Sequence, residues 1–176
     1  MTTPLTEADL LARLTEMGIP YTHHTHPPLF TVEDSQALRG SLPGAHCKNM
    51  FLKAKSGDLI LVTCEESRKI RIRDLEREID QRKCSFAKPE LLLEALGVTP
   101  GAVTPLALFN DPGHRVTFVM DAQLAEADTL NCHPLHNAAT VTLAMADMMR
   151  IFEATGHTPR LVDFDALEEK ARQAAA

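Results

Sequence analysis

The sequence predicts a mixed α+β fold, that is, an α/β protein with a largely antiparallel β-sheet surrounded by helices. Apolar segments separated by short turns that contain Gly, Pro, Asn or Asp are typical of β-hairpins. Amphipathic segments that end at glycine are typical of helices, and they alternate with the hairpins along the chain. The strand segments are too numerous for a helical bundle, and the hairpins favour antiparallel pairing.

The first element is an amphipathic helix. Thr6 is a suitable N-cap with Asp9 three residues later, and apolar residues follow at helical spacing up to Met17. Gly18 then ends the helix, because glycine adopts the left-handed conformation that closes a helix without steric cost.

The later elements are predicted from the same signals. A proline pair ends the extended segment, glycine ends three of the helices, and the polar loop 55–58 joins the two strands of the first hairpin. In chain order they are an extended segment 19–26, a helix from Thr31 to Gly40, a hairpin of 50–54 and 59–64, a helix near 74–79, a helix from Pro89 to Gly97, a hairpin of 103–109 and 115–120, a strand 140–144, a helix 145–154 ended by Gly156, and a solvated helix or frayed tail after Asp165.

Composition restricts the class of protein. The 176 residues are 44% hydrophobic and 24% charged, which is ordinary for a globular protein, so a single domain over residues 1–176 is expected. No run of 18 apolar residues and no basic-apolar leader occur, so neither a membrane span nor a secretory signal is predicted. The four cysteines are widely spaced without a C-x-x-C pair, which favours reduced thiols and a cytoplasmic location.

The charge distribution is uneven. A net charge of −6 argues against a protein that coats DNA or RNA by bulk attraction, because phosphate binding depends on Lys and Arg. Between Arg39 and Lys88, however, twelve Lys and Arg stand against seven Asp and Glu, a local excess of +5. That segment is compatible with a transient contact to one RNA end and equally with an ordinary solvated surface.

Three short segments carry side chains suited to chemistry. Lys48-Asn49 places an ammonium and a carboxamide at the predicted start of a strand, where the lysine could neutralise a phosphate or an ester oxygen. The turn-rich segment from Gly97 to Pro105 could present backbone N–H groups to a ligand, or could simply be a helix C-cap followed by a turn. His133-Pro134-Leu135-His136-Asn137 offers imidazoles that could transfer a proton or bind a substrate.

Several reaction classes lack their usual sequence signatures. The chain has no G-x-S-x-G elbow, P-loop or G-x-G-x-x-G segment, so covalent serine chemistry and nucleotide-driven chemistry are disfavoured. Cys132 adjoins His133, but neighbouring side chains in a strand point apart, and a zinc site would need a second pair of ligands. Hydrolysis by water is therefore the simplest enzymatic interpretation.

Five separated segments follow one another along the chain, namely His26-Pro27-Pro28 with Thr31-Val32-Glu33, Lys48-Asn49-Met50-Phe51-Leu52, Ser85-Phe86-Ala87, Gly97-Val98-Thr99-Pro100-Gly101 with Val103-Thr104-Pro105-Leu106, and His133-Pro134 with Asn137 and Thr140. In this order they resemble the YbaK family of prolyl-tRNA-synthetase-associated editing domains, over residues 10–165. The closing segment 153–160 resembles the end of the stand-alone, alanine-specific ProX branch of that family.

The resemblance implies a trans-editing deacylase that hydrolyses alanine from mischarged proline tRNA, with no metal and no cofactor. It implies catalytic roles for Lys48 and His133, with Lys48 near the 3′ end of the substrate. We also expect Val32 and Met50 beside the amino-acid pocket. The substrate-binding residues that it implies are Phe30, Thr31, Asn49, Ser85, Gly97, Pro100, Gly101, Ala102, Thr104 and Asn137.

The implied partners are the acceptor end of mischarged proline tRNA and, for its delivery, prolyl-tRNA synthetase or an elongation factor. Editing of this kind is needed because a binding pocket rejects a smaller substrate by only about 1–3 kcal/mol per missing methylene. Two alternatives stay open at this point. One is a deacylase of the same family that acts on cysteinyl-tRNA, and the other is a non-catalytic module that binds tRNA or a synthetase.

Overall fold

The computed structural model describes residues 3–29, 32–39 and 41–176, and within them a mixed sheet carries helices on both faces. The strands are β1 (Thr22–Thr25), β2 (Ala45–Lys53), β3 (Leu59–Glu65), β4 (Ser85–Phe86), β5 (Val116–Asp121), β6 (Thr129–Cys132), β7 (Ala139–Ala144) and β8 (Arg160–Val162). They run in the order β1-β7-β6-β2-β3-β5-β8, and β4 pairs with β2 beside this path. The α-helices are α1 (Glu7–Glu16), α2 (Val32–Arg39), α3 (Ile72–Glu78), α4 (Pro89–Leu96), α5 (Met145–Ala154) and α6 (Phe164–Ala174).

The sheet is mostly, but not wholly, antiparallel. The predicted first hairpin is confirmed, since β2 pairs with β3 antiparallel from Cys47↔Glu65 to Lys53↔Leu59. Antiparallel pairing also joins β1 to β7, β6 to β7 and β2 to β4. Three pairs are parallel, namely β2 with β6, β3 with β5, and β5 with β8. The predicted mixed α+β class is therefore confirmed, with parallel pairs that the sequence did not indicate.

The prediction of a strand over Val103–Phe109 is wrong, because a 3₁₀ helix occupies Pro105–Asn110. The Thr104 hydroxyl accepts a hydrogen bond from the Leu106 N–H at 3.4 Å and caps this helix, and Pro105 lies at its first position, where the missing N–H costs nothing. A short apolar run that is buried throughout does not distinguish a strand from a helix. As a result β5 has no preceding hairpin partner and pairs in parallel with β3.

Both faces of the central strands are buried. On β3 the side chains alternate, so that Leu59 and Leu61 join one core and Ile60 and Val62 join the other. The first core includes residues of α1, α4, the 3₁₀ helix and α5, and the second includes residues of α3 and α6. The continuous apolar run of β3 is thus explained by burial on both sides.

The helix boundaries follow the predicted signals closely. Thr6 and Asp9 form a reciprocal capping box at the start of α1, and Gly18 has φ +67° just beyond its end. The helix α5 ends two residues before Gly156, as predicted. The predicted ends of α2 at Thr31 and Gly40 lie outside the described residues.

In the part of the chain that the structure describes, no helix is long and apolar enough to span a membrane. All four cysteines are free thiols. The cytoplasmic location stays a prediction.

Candidate functional site

A small cavity of about 90 Å³ lies beside the first half of β2, where that strand pairs with β6. Its apolar wall is formed by Leu29 and Leu38 and by the thiol-bearing Cys47 and Cys132. The polar side chains that line it are Ser35, His46, Asn49, Glu66, Asn131, His133 and Thr140. The cavity therefore brings together the predicted residues Asn49 and His133 from segments that are 84 positions apart.

A second, wider groove of about 350 Å³ runs between α3 and α6. Its walls combine apolar residues such as Ile70 and Leu167 with cations such as Lys69 and Arg172. None of the residues that the sequence predicted for the site lies along it. The small cavity beside β2 is therefore the candidate site.

His133 follows β6 directly and is oriented by one strong contact. Its Nδ1 lies 3.0 Å from the carbonyl oxygen of Ala139, and because a carbonyl only accepts, Nδ1 carries the proton. In the neutral ring Nε2 is then an acceptor. Burial lowers the pKa of His133, and the nearby His26 and His136 lower it further, against the opposing effect of the Ala139 hydrogen bond. The imidazole is thus held neutral at neutral pH as a hydrogen-bond and proton acceptor.

His26 supports this arrangement, although the sequence did not single it out as a site residue. Its ring centroid lies 6.4 Å from that of His133. Its Nδ1 lies 2.9 Å from the carbonyl oxygen of Pro27, and its Nε2 lies 2.9 Å from the hydroxyl of Thr140 on β7. These contacts fix one wall of the cavity. The sequence signal for them was that His26 and Thr140 both lie in the segments that resemble the YbaK family.

Asn49 lies within β2, four residues after the strand begins, and so is not at the strand start that the sequence predicted. Its side-chain amide donates to the carbonyl oxygen of Val103 at 3.0 Å and accepts from the hydroxyl of Thr63 at 2.6 Å. The carboxamide therefore attaches the loop before the 3₁₀ helix to the sheet. This explains why the loop and the strand lie side by side at the cavity.

Lys48 is not among the residues that line the cavity. Adjacent residues in a strand point to opposite faces, so Lys48 lies on the side of β2 opposite to Asn49, where it is half-buried. Its ammonium donates to the backbone carbonyl oxygen of Arg68. Met50 shares that face and packs against the second core, so it does not line the cavity as expected.

The predicted loop residues fall into two groups. Pro100 and Gly101 are exposed on a turn closed by the 3.0 Å hydrogen bond from the Ala102 N–H to the Thr99 carbonyl oxygen. Ala102 and Thr104 are buried and are not among the residues that line the cavity. The loop thus combines an exposed tip with a buried base.

The exposed tip lies beside Asn137. A Cβ atom built on Gly101 would lie 3.8 Å from the Asn137 side-chain amide, and the backbone carbonyl oxygen of Asn137 accepts the Leu29 N–H at 3.3 Å. Leu29 itself lines the cavity. The segments of Gly101, Asn137 and Leu29 are therefore neighbours, and Leu29 connects them to the cavity.

Two other predicted groups lie elsewhere. Ser85 is exposed on β4 and pairs with Lys53, at the end of β2 that is remote from the cavity. Phe30 and Thr31 lie outside the described residues, and so does the side chain of Val32. In residues 3–29, 32–39 and 41–176, no group of three or more His, Cys, Asp or Glu side chains is arranged to hold a metal ion.

Gly97 serves packing and helix closure. It ends α4 with φ +67°, and a Cβ atom built there would lie 2.5 Å from the Cβ of Pro4 and 2.8 Å from the side-chain amide of Asn110. Gly18 has the same φ but nothing within 4 Å of its built Cβ. Both positions require a left-handed backbone, whereas only Gly97 lacks space for a side chain.

Replacing Gly97 by alanine should therefore cost more stability than replacing Gly18. The left-handed backbone destabilises each variant by about 1–2 kcal/mol, and overpacking destabilises Gly97→Ala by about 1–3 kcal/mol more. Urea unfolding of both variants measures the difference. Equal losses would contradict the packing role that we assign to Gly97.

Comparison with known proteins places this geometry in a family. Residues 26–151, well over half of the chain, match the sequence profile of the aminoacyl-tRNA editing domain, and this range contains every residue named above as lining the cavity. The chain is 38% identical over 154 residues to prolyl-tRNA synthetase associated domain-containing protein 1 of Danio rerio, which covers 86% of this chain and 84% of the relative. It is 33% identical over 155 residues to the prolyl-tRNA editing protein ProX of Acetoanaerobium sticklandii, covering 88% and 94% of the two chains.

Solved structures share the fold at lower sequence identity. A crystal structure of the hypothetical protein APE2540 superimposes with a TM-score of 0.69 at 18% identity, over 90% of this chain and 98% of that one. A crystal structure of a candidate trans-editing enzyme for prolyl tRNA synthetase gives a TM-score of 0.68 at 15% identity, over 90% and 96%. The matched profile, the curated relatives and the shared fold agree, and this chain belongs to the aminoacyl-tRNA editing domain family.

Proposed function

We propose that this protein hydrolyses the ester between alanine and the terminal adenosine of mischarged proline tRNA. The observation that carries the proposal is a cavity of only about 90 Å³ with the neutral imidazole of His133 in its wall, in a chain of the editing family. The name of the ProX relative supports proline tRNA as the carrier of the ester.

The size of the cavity favours a small amino acid. Pockets for drug-sized ligands occupy about 300–1,000 Å³, several times more than this one. The amide groups of Asn49 and Asn131 already bond to protein atoms, so they offer little to a polar substrate side chain. An alanine methyl group needs no such partner and fits between the leucines and thiols of the apolar wall. Size exclusion of proline would then protect correctly charged tRNA.

The chemistry that we assign to His133 is proton acceptance at Nε2. A water molecule attacks the ester carbonyl carbon, its proton passes to the imidazole directly or through a ribose hydroxyl, and the bond to the ribose oxygen then breaks as that oxygen is protonated. The products are alanine and free tRNA. The fixed Nδ1–H bond to Ala139 keeps the acceptor nitrogen available throughout.

Charge that develops on the carbonyl oxygen needs hydrogen-bond donors. The Gly101 N–H donates to no carbonyl within the residues that the structure describes, and Gly101 lies beside Asn137, whose backbone carbonyl oxygen accepts the N–H of the cavity-lining Leu29. We assign it as one such donor. Lys48 lies on the other face of β2, which favours a contact with the phosphates of the 3′ end over one with the ester.

The proposal is tested by deacylation of alanyl, cysteinyl and prolyl esters of proline tRNA after treatment with a chelator. We expect rapid loss of alanine, at least tenfold slower loss of proline, and no effect of the chelator. Lys48→Ala should raise KM about tenfold and flatten the logarithmic salt dependence of binding by about 0.7–0.9, as for one lost phosphate contact. Lys53→Ala, on the same strand but remote from the cavity, is the matched control.

The other outcomes select the alternatives. Faster loss of cysteine than of alanine would identify a cysteinyl-tRNA deacylase of the same family. Binding of tRNA without turnover of any ester would identify a non-catalytic module. We also propose that the protein acts in the cytoplasm and that prolyl-tRNA synthetase or an elongation factor delivers the tRNA to it. Co-purification with either partner tests the delivery.

A further inference from the structure

The loop 133–138 joins β6 to β7 and carries His133 at its first position. Leu135, within this loop, has φ +73°, a left-handed conformation that a residue with a bulky side chain rarely adopts. Such a conformation costs about 1–3 kcal/mol and persists only where surrounding contacts hold it. The loop therefore depends on its contacts to keep this shape beside the cavity.

His136, the residue after Leu135, makes one of these contacts and does not itself line the cavity. Its Nδ1 accepts the backbone N–H of Ala138 at 3.1 Å, so the proton of the neutral ring lies on Nε2. That Nε2 donates to Oε2 of Glu7 at 3.1 Å. The imidazole thus links the loop backbone to the first turn of α1.

The carboxylate of Glu7 is held from two sides. Its Oε1 accepts a hydrogen bond from Nε2 of His23 on β1 at 2.6 Å, while its Oε2 accepts from His136. Burial of Glu7 opposes its charge, but the hydrogen bonds from His23 and His136 lower the pKa of Glu7 below its ordinary value. An ionised Glu7 therefore joins α1, β1 and the loop at one point.

The rest of the loop is attached to the segment that follows β1. The His26 N–H donates to the carbonyl oxygen of Ala138 at 3.1 Å, and the Leu29 N–H donates to that of Asn137 at 3.3 Å. These bonds hold the last two residues of the loop. The contact with Glu7 holds the loop one residue earlier, directly beside the left-handed Leu135.

We propose that Glu7 is a positioning residue for ester hydrolysis, which acts through His136 to hold the loop 133–138 and so fixes His133 at the cavity. Catalysis is sensitive to such support, because a misplacement of about 1 Å can cost on the order of 100-fold in rate. Glu7 touches no group that lines the cavity in the contacts described above, so its effect is on geometry alone. The inference rests on the proposed function, since it assigns the support of that reaction's proton acceptor.

Glu7→Ala should lower kcat for the alanyl ester of proline tRNA about tenfold and leave KM within about twofold, because the cavity wall itself is unchanged. Glu7→Gln should recover most of the lost kcat. Its amide oxygen can accept from His136, and its amide N–H can donate to His23 in the other tautomer. Deacylation of the alanyl ester at several tRNA concentrations measures both constants.

Asp9→Ala is the matched control. Asp9 lies in the same first turn of α1, where its Oδ2 accepts the Thr6 N–H at 2.9 Å in the capping box. Its removal weakens the start of the helix without removing a contact to the loop. This variant should keep kcat within about twofold, so an equal loss of kcat in Asp9→Ala and Glu7→Ala would assign the effect to helix stability and overturn the proposal.

Hydrogen exchange of the backbone amides in 133–138 tests the same contact without a substrate. Glu7→Ala should speed exchange of the Ala138 N–H roughly tenfold, and Asp9→Ala should not, because only the first variant releases His136. An unchanged kcat in Glu7→Ala, or unchanged exchange, would overturn the positioning role and leave the deacylase standing. Failure of wild-type protein to hydrolyse any ester would overturn the deacylase and the positioning role together.

Discussion

The His133→Ala variant is expected to lose about 100- to 10,000-fold in kcat for ester hydrolysis, the range that a general acid–base group contributes. The reason is the fixed tautomer, since Nδ1 donates to Ala139 and leaves Nε2 as the acceptor at the cavity wall. Single-turnover deacylation of the alanyl ester measures the effect. His24→Ala is the control, because His24 is not among the residues that line the cavity.

The pH dependence provides an independent check on this role. Burial lowers the pKa of His133 below its ordinary value, and the acceptor must be neutral, so activity should rise with pH on the acidic side and be constant by neutral pH. The His133→Ala variant should no longer show this fall of activity at acidic pH. An unchanged limb in His133→Ala, or a loss of less than about tenfold, would assign His133 to substrate positioning only.

The same pKa shift has a consequence for stability. A histidine whose folded pKa lies below its unfolded pKa binds fewer protons when folded, so its neutral form favours folding at higher pH. The contribution is complete above the unfolded value of about 6.5 and is lost as pH falls from there through the lower pKa of the folded state. The acidic limb of activity should therefore be measured above the pH at which unfolding begins.

The sequence predicts elements whose signals are local. Helix α1 has its capping box, α5 has glycine beyond its end, and the hairpin of β2 and β3 has a polar turn between apolar strands. Strand β6, in contrast, has only Thr129–Cys132, and its pairing with β2 joins residues about 85 positions apart. Such a strand forms through long-range pairing, which leaves no local pattern to read.

The site is predicted in part for the same reason. His133 and Asn49 were singled out, and the structure brings them to one cavity. The orientation of Lys48 away from the cavity depends on which face of β2 packs against which core, and no local pattern fixes that face. The wrong prediction of a strand over 103–109 also arises from a local pattern that does not decide the structure, since a buried apolar run is compatible with both a strand and a 3₁₀ helix.

Asp121→Ala is expected to have the largest effect on stability, about 3–5 kcal/mol, because it removes a fully buried carboxylate that pairs with Arg68 and accepts two backbone N–H groups. Asp121 is fully buried at the end of β5, and its Oδ2 accepts from Nε of Arg68 at 3.0 Å and from the Glu65 N–H at 3.1 Å. Its Oδ1 accepts the Gln123 N–H at 3.0 Å. One carboxylate thus fixes both the turn after β3 and the turn after β5.

The charge on Arg68 is strongly retained. Burial opposes it, but the hydrogen bonds that the guanidinium donates to Asp165 and Asp121 outweigh that effect and raise its pKa above the ordinary value. Removing Asp121 therefore cannot be relieved by loss of the proton. Removing Asp165, whose side chain is 65% exposed, should cost less than about 1 kcal/mol, since water replaces it.

Urea unfolding of Asp121→Ala and of the control Asp165→Ala measures this difference, and for a protein of this size each kcal/mol corresponds to roughly 2–4 °C in Tm. A loss below about 1 kcal/mol in Asp121→Ala would mean that water reaches Arg68. The two turns also bear on the site, because the carbonyl oxygen of Arg68 accepts the Lys48 ammonium. If Asp121→Ala folds but its turn after β3 is less ordered, Lys48 should bind the tRNA end more weakly. The KM for ester hydrolysis would then rise while kcat stays unchanged.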